Sequence, residues 1–162
     1  MTLNDLSDST CSRNKKLRLY AVWCARQVSH LMTVKKCVSA LDVAEAYANG
    51  SASTEELEGA HAETLLAIKL SSSNGHTSPE WAARAAAAAT QLDADLAAKE
   101  APHSAAKALG FDAGSKAHFA VPASRDDMVD DCNRAGAYDE ARAKAFEKAR
   151  SQFALEYGRR CC

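Results

Sequence analysis

Glycine and proline are scarce, at seven and three residues in a chain of 162, and aromatics reach only 6%. Few residues therefore interrupt a helix, and propensity for one is high almost throughout. Nowhere do β-branched and polar residues alternate over five or more positions, which leaves no strand pattern. No apolar run approaches 18 residues, and Ala85–Ala89 is too short and too weakly hydrophobic to span a bilayer. The opening MTLNDLSDST has no basic region followed by an apolar run, so it does not read as a signal peptide. The cysteines form no CxxC pair and no His lies three to five residues from another, which excludes the usual zinc frameworks. Six thiols without an export signal are expected to be reduced, in a cytoplasmic protein. Gly-rich phosphate loops, GxSxG and HExxH are missing too. A net charge of −1 makes no global case for nucleic acid.

Against these absences stands alanine, the dominant apolar residue, in a chain 47% apolar and 25% charged. That composition is ordinary for a globular domain, and a chain this long buries roughly 70% of its unfolded surface. The expected architecture is all-α: a single-domain bundle of five to seven helices over residues 1–162, with the first long helix central. In Lys16–Met32, residues Leu17, Tyr20, Ala21, Cys24, Val28 and Leu31 form one apolar stripe at helical spacing. Leu19, Val22 and Trp23 lie on the opposite side. A helix apolar on two faces wants neighbours on both. Lys16, Arg18 and Gln27 are left as its wet rim.

The rest of the chain divides by its punctuation. Residues 1–12 read as a loose segment, with Ser12 or Asn14 capping the first helix. A second helix starts near Val38 and ends at Gly50, a C′ glycine. Ser53-Thr54-Glu55-Glu56 is a capping box, which opens a third helix with Leu57, His61, Leu65 and Ile68 on its stripe. Residues 71–78 read as a flexible loop ending in Ser78-Pro79, a helix start. An alanine-rich helix is expected over Trp81–Glu100, with Leu92 and Leu96 on its apolar side and Pro102 as its end. Residues 103–123 read as an irregular connection around a short helix closed by Gly110. Ser124 and Asp127 cap a last helix from Arg125 to Tyr157, with Gly136 as a break point and Ala149, Phe153 and Tyr157 on its stripe. No internal repeat is present.

Charge is uneven. Residues 1–40 carry net +5, residues 41–100 net −7 and residues 101–162 net +1. This predicts internal pairing between the basic start and the acidic middle, or else a charged docking face. The sharpest cluster is Asp126-Asp127-Met-Val-Asp130-Asp131. Carboxylates at i and i+4 can hold Mg²⁺ with phosphate oxygens, with Glu56 as a partner acid. The plainer reading is a solvated helix start, favoured by the macrodipole, that presents an acidic patch to a basic partner. The basic run Arg13, Lys15, Lys16 and Arg18 can contact phosphates, although it lacks interleaved aromatics. His30, His61, His76, His103 and His118 are scattered, and no acid is at hand to orient a Cys24/His30 or Cys132/His103 dyad. Cys161-Cys162 at the end also matches a eukaryotic prenylation signal, but exposed thiols are the simpler reading.

The strings KLRLYAVWCARQVSHLM, SALDVAEAYANG and STEELEGA, followed by an alanine-rich helix, resemble a family of small helical phage and bacterial proteins. Its members read roughly L-R-L-[FY]-A-x-x-C-A-R, then A-[LV]-[DE]-V-A-E-x-[YF]-A-x-G. The likeness covers residues 15–60 and, by composition, 80–100. Some members are described as immunity proteins, so the resemblance implies a mobile-element setting and a binding role. It brings no catalytic residues with it. The expected function is thus non-enzymatic and cofactor-free: an anti-defence inhibitor or immunity-type protein that neutralises a host or toxin protein. Interface residues are expected in the loop (Asn74, His76) and the acidic cluster (Asp126, Asp127, Asp130, Asp131). Two alternatives stand beside it. One is a Mg²⁺-dependent phosphohydrolase using Asp126, Asp127, Asp130 and Glu56. The other is a nucleic-acid-binding module using the basic N-terminus.

Overall fold

Tyr20 and Trp23, one turn apart on the first helix, take the C-terminal end of the chain against them. The Tyr20 hydroxyl donates to the buried carbonyl of Phe153 at 2.9 Å. The Trp23 ring meets Phe153 edge-on at 5.8 Å and lies under the guanidinium of Arg160. In this computed structural model, residues 3–71, 77–121 and 127–161 are described, with side chains described for 12–70, 77–121 and 131–161. Among them are six α-helices and no strand, folded as one all-α domain: α1 Leu3–Arg26, α2 Lys35–Ala48, α3 Thr54–Ser71, α4 Ser78–Ala89, α5 Ala94–Ala120 and α6 Asp127–Cys161. No helix among the described residues is long and apolar enough to cross a membrane.

Helix α1 touches α2, α4, α5 and α6, as its two apolar faces require. Leu17, Tyr20, Ala21, Cys24 and Val28 are buried, and so is Val22 on the second face. Burying a side chain such as Leu17 contributes roughly 1.5–3 kcal/mol. The central position is shared with α4, in which Ala82, Ala83 and Ala85 through Ala89 are all buried. Alanines on every side let four neighbouring helices approach its backbone.

Local signals set several boundaries. α2 ends in a Schellman motif: Gly50 adopts φ +76°, its N–H donates to Tyr47, and the N–H of Ser51 donates to Ala46. Ser53 and Glu56 exchange the two hydrogen bonds of the capping box, at 2.7 and 3.2 Å. The basic start and acidic middle pair through Arg13–Asp95, Arg26–Asp42, Arg26–Glu45 and Lys36–Glu63. All four are exposed, so each contributes about 0–1 kcal/mol.

Other boundaries depart from the sequence reading. α1 begins at Leu3, so residues 3–12 are helical and not a loose segment; it ends at Arg26, followed by a 3₁₀ turn at Ser29–Leu31. α2 starts at Lys35, three residues early. The cap of α4 is Thr77, which receives the Glu80 N–H and leaves Ser78 as the first helical residue. On α3, Leu65 is exposed, and Thr64 and Ala67 take the buried positions.

The expected helix over Trp81–Glu100 is two helices. α4 stops at Ala89, where Thr90 turns its hydroxyl back onto the carbonyls of Ala86 and Ala87. Asp93 then caps α5 through the N–H groups of Asp95 and Leu96. Leu92 and Leu96, expected on a buried stripe, are exposed as a result.

Pro102 does not end a helix, and 103–123 is no irregular connection: α5 runs through to Ala120. An interior proline costs about 3 kcal/mol. The continued burial of Ala101, Ser104, Ala105, Ala106, Ala108, Gly110 and Gly114 outweighs it. Gly110 and Gly114 let α6 lie directly on α5. A Cβ at Gly114 would sit 2.9 Å from the Tyr138 ring, and one at Gly110 would sit 3.1 Å from the Arg142 carbonyl. α6 continues unbroken through Gly136.

Candidate functional site

Arg18, expected on the wet rim and as a phosphate contact, is 2% exposed. Its guanidinium donates to the carbonyls of Ala89 (3.1 Å), Gln91 (2.5 Å) and Leu92 (2.8 Å), and it lies 5.1 Å over the Tyr47 ring. Burial pulls its pKa down, opposed by Tyr47 and Asp93. A planar fork with five donors suits the diverging carbonyls of a helix end. Arg18 thus holds the α4–α5 junction and leaves the nucleic-acid set. Arg13, Lys15 and Lys16 stay exposed, with Arg13 paired to Asp95.

The remaining expected sites divide. Asn74, His76 and Asp126 lie outside the described residues, as do the side chains of Asp127 and Asp130; Asp131 is exposed. Glu56 serves the capping box of α3. No three His, Cys, Asp or Glu side chains come together among the described residues. His61 is a packing residue: its Nδ1 lies 3.0 Å from both the Ala87 carbonyl and Thr90 Oγ1, joining α3 to the end of α4. The thiols of Cys24 and Cys37 are buried, and burial pushes Cys24 up to about 12.

Among the described residues, two surfaces combine apolar area with charge. The first is the outer face of α3. Gly59, Ala62, Leu66 and Leu70, at i, i+3, i+7 and i+11, share one exposed side of that helix. Leu66 is 56% and Leu70 73% exposed, and nothing lies within 4 Å of a Cβ built at Gly59. Glu55 sits at the N-terminal end of this stripe, with Glu58 and Glu63 on its flanks. Lys69 is the only basic residue of the helix, against four carboxylates. The surface is apolar along its ridge and acidic at its borders, where Glu63 is already paired with Lys36.

The second surface is concave and runs across α4, α5 and α6. A cleft of about 600 Å³ between α1, α5 and α6 is lined by Lys99, His103, Glu147 and Arg150. A neighbouring one of about 420 Å³ is lined by Lys107, Phe111, Asp139, Arg142 and Phe146. Aromatic rings hold several of these cations: Lys107 lies 4.0 Å over Trp81, with Arg84 also on that ring, and Arg142 lies 4.4 Å over Phe111. His103, open to solvent on one side, is held below the usual imidazole value by partial burial, then by Lys107 and Arg150. Pro102 brings no N–H, so the Ala98 carbonyl loses its helical donor, and both residues line the larger cleft.

The sequence reading missed both surfaces. Lys99, His103 and Lys107 recur at i+4, a visible signal, but one hidden by ending the helix at Pro102. The leucine stripe was hidden by assigning Leu65 to the buried side. No family model, no curated protein and no solved structure matches this chain.

Proposed function

We propose that this is a non-enzymatic binding protein that docks onto another protein through the outer face of α3. The observation that carries the reading is the exposed stripe Gly59–Ala62–Leu66–Leu70 with carboxylates at its borders. Leucines at helical spacing that the fold leaves in water lower the free energy when a partner covers them. The acidic borders select an amphipathic helix flanked by Lys or Arg, and Gly59 and Ala62 allow its backbone close approach. Inhibition would follow by steric occlusion of the partner.

The resemblance of residues 15–60 to a family of small helical phage and bacterial proteins, some of them described as immunity proteins, motivates an inhibitor or immunity role in a mobile element. The partner is then a host or toxin protein. Cys24, Cys37 and Cys132 carry free thiols, which suits a reducing compartment.

The test is a tagged pull-down from host cells with cross-linking mass spectrometry, run for the wild type and for L66E/L70E. One stoichiometric partner, cross-linked to α3 and lost with the double variant, supports the reading. A partner retained by L66E/L70E, or measurable turnover in a preparation with no partner, overturns it.

A further inference from the structure

We propose that the concave α5/α6 face is a binding site, independent of the α3 stripe, that takes an acidic, amphipathic helical segment of another protein. Lys99, His103 and Lys107 follow one another at about 6 Å intervals along α5, four residues at 1.5 Å each. Arg142 and Arg150 stand opposite on α6, with Phe146 between them. Carboxylates at i and i+4 on a ligand helix repeat at the same interval, so the two registers match.

The cations are held ready but not neutralised. Among the described residues, Lys99, Lys107 and Arg142 form no ion pair, and only Arg150 has an acid, Glu147, at 3.4 Å. The rings beneath Lys107, Arg142 and Arg150 orient these three without cancelling their charge. Between the covered rings, Ala98, Pro102 and Ala143 line the floor and offer apolar area for the ligand's leucines. From Lys99 to Phe111 the two neighbouring clefts together follow about 18 Å of α5, or roughly three turns of a bound helix.

The same geometry disfavours a nucleic acid. Glu147 and Asp139 interrupt the cationic track and would repel an unbroken phosphate backbone. The Phe111 and Phe146 rings are also already covered by Arg142, Arg150 and the edge of His103, which leaves no open plane for base stacking.

Fluorescence anisotropy decides the matter, with a labelled three-turn helical peptide carrying Glu at i, i+4 and Leu between. A Lys-for-Glu peptide and an oligothymidylate of similar length serve as the other probes. The expected result is saturable, salt-sensitive binding of the acidic peptide alone. It should weaken roughly tenfold in each of R142E and R150E and stay unchanged in L66E/L70E. Both arginines are exposed, circular dichroism checks their folding, and K99E replaces either one that fails. No saturable binding, equal binding in the reversed variants, or tighter binding of the oligonucleotide overturns the proposal. So does light scattering that shows the chain self-associating through this face, its own acidic α3 then being the occupant. A failure here leaves the α3 reading standing, because L66E/L70E tests that surface separately.

Discussion

The guanidinium of Arg18 donates to the carbonyl of Leu92 at 2.8 Å, across 74 residues of chain. With its bonds to Ala89 and Gln91, this contact lets α4 stop and α5 begin inside a run of strong helix formers. Arg18→Met leaves three carbonyls without their donor and is expected to cost about 3 kcal/mol. For a domain of this size that lowers Tm by roughly 10 °C. Arg18→Lys should recover only part, since one ammonium cannot span diverging carbonyls. Thermal unfolding followed by circular dichroism measures both, and a change under about 1 kcal/mol would contradict the role assigned to Arg18.

Two glycines on the same pair of helices predict opposite outcomes. At Gly114 an added methyl meets the Tyr138 ring at 2.9 Å and the Tyr138 carbonyl at 3.1 Å. Overpacking of about 2 kcal/mol exceeds the helix-propensity gain of about 1, so Gly114→Ala should destabilise. Gly136 has nothing within 4 Å, and Gly136→Ala should stabilise by about 0.5–1 kcal/mol. Urea midpoints of the two variants, read against wild type, check both signs.

Thiol chemistry reports on the core. Cys132 is exposed, whereas Cys24 and Cys37 are buried, with burial raising both thiols' pKa values. Iodoacetamide on the native protein at mildly alkaline pH should label Cys132 and spare Cys24 and Cys37 until denaturant is added. Native labelling of Cys24 would mean that the α1–α6 contact is open.

His103 titrates below the ordinary imidazole value, through partial burial and then through Lys107 and Arg150. Lys99 and Glu147 share its cleft. A His with a depressed folded pKa costs no stability above its unfolded pKa. It destabilises the fold as pH falls from there through the folded value. Lys107→Gln should raise the His103 pKa, and so should a bound acidic peptide. ¹H–¹³C NMR titration of the ring measures each shift, and an unmoved or lowered value would contradict the electrostatics assigned to the cleft.

What the sequence revealed and what it hid follow one physical division. The capping box at Ser53–Glu56, the αL turn at Gly50 and the double stripe of α1 are local: a few neighbouring residues decide them, and they read directly. The break at Thr90–Asp93 has one local signal, the Asp93 cap, but its carbonyls are satisfied by an arginine far upstream that no local pattern contains. Pro102 read as a stop because its cost is local, while the burial that outweighs it comes from α1, α4 and α6. The cationic cleft depended on that helix continuing, so it was lost with it. Gly110 read as the end of a short helix because its purpose, the close approach of α6, lies on another helix.

The claim that most depends on measurement is that α3 is the docking face. Hydrogen exchange of the chain, alone and with the partner it captures, tests this most directly. Added protection centred on residues 59–70 is the predicted result. Unchanged exchange across α3, with protection confined to other helices, would contradict it.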